Sequence, residues 1–127
     1  MAAILIVEDE PFARMIAEEA AQDLGLQPLS AENGETAIAL ARGAEALAIL
    51  FTDIHMPPGP DGWTVARAIH PKVLVIYTSG LAGPEDCAQL GVPGGCLLPK
   101  PYTFDDLAVA IAGNGVATGR QDAPDRR

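Results

Sequence analysis

Basic side chains are scarce in this sequence: eight Lys and Arg stand against 17 Asp and Glu, for a formal net charge of −9. Nucleic acid and anionic lipid are bound through clustered cations, so the shortage argues against both as partners. Cysteine is nearly absent as well. Cys87 and Cys96 stand in no CxxC or Cys/His spacing, which removes a zinc site from consideration and leaves two ordinary reduced thiols. No apolar run approaches the roughly 20 residues that a membrane helix requires. The first such run, residues 2–7, meets Glu8 and Asp9 too soon to form a signal-peptide core. A cytoplasmic setting away from membranes is the expectation. Internal repeats and low-complexity tracts are also lacking.

What remains is the composition of a packed globule. With 127 residues, 49% hydrophobic and 20% charged, the chain can bury one core and is too short for two domains. The last stretch, residues 113–127, is rich in Gly, Asp and Arg. The expected division is a folded unit over residues 1–112 and a flexible tail over 113–127.

Three continuous apolar runs, residues 3–7, 47–51 and 72–77, read as strands buried on both faces. Two weaker ones, 26–31 and 94–98, carry Pro28, Pro93 and Pro99 inside them or at their borders. Proline is tolerated mainly at sheet edges, so these two are expected outermost. Helix signals lie between the strands. Pro11 suits the first turn of a helix that stops at Gly25, Asp61 can cap one that Pro71 terminates, and 33–43 supplies another. Pro84 with Glu85 and Asp86 opens a fourth, and Thr103 with Asp106 resembles a capping box for the last. Five strands alternating with five helices imply right-handed crossovers and a parallel sheet covered on both faces, a three-layer α/β/α arrangement. The central and edge assignments fit the flavodoxin-like order 2-1-3-4-5, an order that places ligands beyond the strand C-termini.

In that order Glu8 and Asp9 follow the first strand, Asp53 the third and Thr78 the fourth, while Lys100 lies just beyond the fifth. Three carboxylates, a hydroxyl and an ammonium then share one rim. Carboxylates held this close repel one another unless a divalent cation offsets the charge, and an all-oxygen set suits Mg²⁺ rather than Zn²⁺. A carboxylate beside a metal and a lysine is also a means of forming an acyl phosphate on Asp53.

The segments Ile6-Val7-Glu8-Asp9-Glu10, Asp53-Ile54-His55-Met56-Pro57 with Asp61-Gly62, Thr78-Ser79-Gly80 and Lys100-Pro101 resemble, in order and context, the receiver family of response regulators. The resemblance spans residues 4–111. It implies that Asp53 accepts a phosphoryl group and that Glu8, Asp9, Asp53 and the backbone carbonyl of His55 hold Mg²⁺. Thr78 and Lys100 would contact the phosphoryl oxygens, and the Lys100-Pro101 peptide would be cis. The implied donor is a histidine kinase or a histidine phosphotransfer protein. With no DNA-binding helix pair encoded after residue 111, the implied output is contact with a downstream protein.

The sequence departs from the family pattern at Leu97, three residues before Lys100, where many receivers carry a switching Tyr or Phe. Tyr102 occupies a different position and does not replace it. Coupling through the Thr78 loop and the short helix near 84–90 is expected instead. Two other functions compete. An aspartyl-phosphate phosphohydrolase uses similar groups, but it places its nucleophile after the first strand. A receiver-like module could bind partners without phosphorylation, a reading that the full acidic set opposes. Trp63 and Ile69 read as packing residues, and His55 as a loop residue able to influence dephosphorylation.

Overall fold

The computed structural model describes residues 2–113 apart from Lys72. Its elements run β1 (Ala3–Val7), α1 (Pro11–Asp23), β2 (Gln27–Ala31), α2 (Gly34–Gly43), β3 (Leu47–Asp53), α3 (Gly62–Ile69), β4 (Leu74–Ser79), α4 (Pro84–Leu90), β5 (Cys96–Pro99) and α5 (Phe104–Ala112). The strands form one parallel sheet of order β2-β1-β3-β4-β5, the flavodoxin-like arrangement expected from the apolar runs. The tail expected from 113 onward lies, beyond Gly113 itself, outside the described residues.

Alternation along the strands splits the core into two layers. Leu5, Val7, Leu50, Val75 and Tyr77 pack with Ala37 of α2 and with Trp63, Val65 and Ala66 of α3. Ile4, Ile6, Ile49, Phe51 and Ile76 pack on the other face with Ala17, Ala20 and Ala21 of α1 and with Leu107 and Ile111 of α5. Every residue of β1 is buried, as a central strand covered on both faces must be. β2 has β1 as its one partner, so Pro28 removes no donor from a second ladder.

Local capping fixes the helix starts. The Glu10 carboxylate accepts from the N–H groups of Phe12 and Ala13 ahead of Pro11. Asn33 and Asp61 accept from Thr36 and Thr64 at 2.8 and 2.9 Å, and Thr103 and Asp106 cap each other at α5. Boundaries differ from the expectations where tight turns intervene. α1 ends at Asp23, and Gly25 turns the chain at φ 77°. β5 begins at Cys96 rather than 94, because Gly94 takes φ 80° and Gly95 donates to the Val92 carbonyl at 3.1 Å. β4 starts at Leu74 and runs on through Thr78 and Ser79, since Ser79 pairs with Pro99.

Candidate functional site

The site is assembled by register. Val7 pairs with Thr52 and Asp53 with Thr78, so the chain leaving β1 sets Glu8 and Asp9 beside the end of β3. One carboxylate oxygen from each of Glu8, Asp9 and Asp53 lies within 4.8 Å of the others. Glu8 and Asp53 are buried, whereas Asp9 is exposed. Lys100 arrives from the edge: its Nζ stands 3.0 Å from Glu8 Oε1 and 3.3 Å from Asp53 Oδ2. The Lys100 N–H continues the β4–β5 pairing by donating to the Ser79 carbonyl at 3.0 Å, and the Lys100-Pro101 peptide is cis.

Hydrogen bonds hold Glu8 and Asp53 in place. Ile54 N–H donates to Asp53 Oδ1 at 2.8 Å and also to the Thr78 carbonyl at 3.2 Å. Glu10 N–H donates to Glu8 Oε2 at 3.2 Å. Arg14 Nη1, one turn into α1, donates to the Glu8 carbonyl at 2.9 Å. That last contact is not evident in the sequence, although a basic residue within the first turns after an acidic loop was a signal for it. Gly62 admits α3 against the strand end: a Cβ there would stand 2.3 Å from the Asp53 carbonyl oxygen.

Burial pushes the Glu8 carboxyl above its ordinary pKa, and the Asp53 charge adds to this, while Lys100 and the Glu10 N–H pull it down. Mutual repulsion, the cause expected from the sequence, is therefore the smaller one at Glu8. For Lys100, burial works against the ammonium, but Glu8 and Asp53 together outweigh it and raise the pKa. Three carboxylates face one ammonium, so negative charge remains to be balanced. Thr78 is 2% exposed, and its Oγ1 finds no hydrogen-bond partner among the described residues. A buried hydroxyl left unpaired is costly and marks a place for an absent acceptor. The all-oxygen donor set and this orphaned hydroxyl fit a hard divalent cation and an oxyanion side by side.

His55 is exposed in the loop after β3, and Leu97 lies half-buried on β5, facing the layer that holds Trp63 and Tyr77. Tyr102 packs edge-on against Phe51, with ring centroids 5.4 Å apart. Cys87 and Cys96 are free thiols whose pKa values burial pushes up.

A parallel sheet of this order, with acids at the ends of β1 and β3, a hydroxyl on β4 and a lysine beyond β5, defines a receiver-type α/β domain. The response regulator receiver domain profile matches residues 4–112, and the chain belongs to that family. It is 32% identical over 117 residues, 87% of its own length, to sensor kinase CckA of Brucella abortus strain 2308. A response regulator receiver protein from Sinorhizobium medicae WSM419 shares its structure with a TM-score of 0.81 and 31% identity, covering 89% of this chain and 93% of that one. The receiver domain of a sensor histidine kinase from Pseudomonas aeruginosa PAO1 matches with a TM-score of 0.74 at 24% identity, over 90% and 98% of the two chains; that structure has a magnesium ion coordinated in its active-site cleft. The chain spans 12% of the length of CckA and 24% of that of the transcriptional regulator NtrC of Salmonella typhimurium. Among the described residues no helix is long and apolar enough to cross a membrane.

Proposed function

We propose that this chain is a phosphorylation switch in which Asp53 accepts a phosphoryl group from a histidine kinase or a histidine phosphotransfer protein. The observation that carries the reading is the position of Lys100 Nζ between Glu8 and Asp53, with Asp53 paired in register to Thr78, whose buried hydroxyl has no partner among the described residues. The Ile54 N–H ties down Asp53 Oδ1 and leaves Oδ2 as the nucleophilic oxygen. Oδ2 forms a bond to phosphorus as the bond from phosphorus to the donor's imidazole nitrogen breaks, the nitrogen keeping the electron pair. Lys100 then exchanges the carboxylate for a phosphoryl oxygen, and the Thr78 hydroxyl donates to another. Glu8, Asp9, Asp53 and the His55 carbonyl would hold Mg²⁺, which supplies charge neutralisation for the phosphoryl oxygens.

The receiver unit in this reading is residues 1–112. The magnesium-bound Pseudomonas relative and the likeness to a sensor kinase support the cation and the type of donor. Output passes to a downstream protein by surface contact, in a cytoplasmic setting, and the chain acts as a switch rather than a turnover enzyme.

Acetyl phosphate with Mg²⁺ tests this. Intact mass should rise by one phosphoryl group in the wild type and stay unchanged in Asp53→Asn. A wild type that gains no mass would favour a module that binds partners without phosphorylation, and repeated turnover of a phosphate ester would favour a phosphohydrolase.

A further inference from the structure

Leu97 leaves β5 without an aromatic ring on its inner face, yet a ring packs in the same core layer from one strand inward. Tyr77 is the pairing partner of Leu97 across β4–β5 and packs in the same layer of the core. It is fully buried and directly precedes Thr78 in the chain.

The connection between α4 and β5 is shaped around this ring. The Tyr77 hydroxyl oxygen accepts from the Val92 N–H at 2.9 Å. A Cβ on Gly91 would lie 3.1 Å from Tyr77 Cε2, and one on Gly95 3.0 Å from the same atom. The ring also packs against Trp63, with centroids 4.6 Å apart. α4 itself contributes no buried residue. Its C-terminal end is fastened where Arg67 Nη1 donates to the Leu90 carbonyl at 3.1 Å and, two residues further on, where Tyr77 holds Val92.

We propose that Tyr77 is the positioning residue through which the state of Thr78 reaches the α4–β5 connection, acting from β4 where the family's usual aromatic would act from β5. The inference rests on the phosphoacceptor reading above. Thr78 and Tyr77 share a peptide bond, so a displacement of the strand end when the orphaned hydroxyl gains a phosphoryl acceptor is passed to the Tyr77 backbone. The phenol is a rigid lever: its ring packs against Trp63, and its hydroxyl oxygen accepts from the Val92 N–H. A close-packed interior leaves a fully buried, hydrogen-bonded ring little slack. The loosely held α4 is the element that yields.

Amide NMR spectra of the full chain, recorded with and without acetyl phosphate and Mg²⁺, test the proposal alongside intact mass. In the wild type, phosphorylation should shift the amides of Thr78, Gly91, Val92 and Gly95 together. Tyr77→Phe keeps the ring and the packing, so it should gain the same phosphoryl mass and retain the Thr78 shift while losing the response of Gly91, Val92 and Gly95. A phosphorylated Tyr77→Phe with the full wild-type response overturns the proposal, as does a phosphorylated wild type whose loop amides stay in place. A wild type that acquires no phosphoryl mass overturns the phosphoacceptor reading, and this readout with it.

Discussion

Lys100 and Glu8 are 92 residues apart in the chain, yet their side chains meet at 3.0 Å across the cleft. The ammonium is the cation that lets two buried carboxylates, Glu8 and Asp53, stand side by side in the metal-free protein.

Removing Lys100 should therefore destabilise the fold when no divalent ion is present. Breaking a fully buried pair costs about 3–5 kcal/mol. The Lys100 side chain is 31% exposed, so solvent screening reduces the expected loss for Lys100→Ala to about 1–2 kcal/mol. Urea unfolding in EDTA should show this loss, and added Mg²⁺ should recover part of it. Equal midpoints for wild type and variant in EDTA would contradict the role.

Magnesium should raise the thermal midpoint of the wild type. Each tenfold increase above Kd adds about 1.4 kcal/mol by mass action. Asp9 is exposed, so Asp9→Asn should leave the metal-free protein within about 0.5 kcal/mol of wild type while displacing the Mg²⁺ dependence to higher concentration. Superimposable titration curves for the two proteins would exclude Asp9 as a ligand.

The chain's two tyrosines report on the fold at alkaline pH. Burial raises the pKa of both Tyr77 and Tyr102 above the ordinary phenol value. The folded state then binds more protons than the unfolded chain once pH exceeds about 10. The stability tied to these groups is fully present below that pH and is lost as pH climbs through the raised values. Absorbance at phenolate wavelengths should thus lag behind that of a urea-unfolded control. A folded titration curve matching the unfolded one would show that the rings are accessible to water.

Two glycines should respond to alanine with opposite signs. A methyl at Gly62 runs into the Asp53 carbonyl at 2.3 Å and Ile54 Cα at 2.8 Å, both backbone, so Gly62→Ala should cost about 3 kcal/mol. Gly43, the last residue of α2, has nothing within 4 Å of its added Cβ, and Gly43→Ala should gain about 0.5 kcal/mol through the lost entropy of the unfolded chain. Chemical denaturation of the two variants settles the comparison.

The sheet and its order were legible because burial leaves a direct mark: the runs at 3–7 and 47–51 are apolar throughout, as only doubly covered strands are, and Pro28 labelled an edge. Glu8, Asp9 and Asp53 followed, since a polar side chain directly after a buried strand must sit on its rim. Less was visible where conformation depends on distant atoms. Nothing near Cys96 in the sequence says that Gly94 turns the chain and delays β5. The Arg14 contact with the Glu8 carbonyl depends on the angle at which α1 leaves Glu10. Tyr77 reads as one more apolar strand residue until its hydroxyl is seen against Val92.

The rim draws on β1, β3, β4 and the residue after β5, so its groups emerge during synthesis in that order, and the ammonium that pairs with the carboxylates comes last. A growing chain that has exposed Asp53 but not yet Lys100 carries the acids without their internal counter-ion. On the proposed reading, competence to take up a phosphoryl group is thereby tied to completion of the sheet.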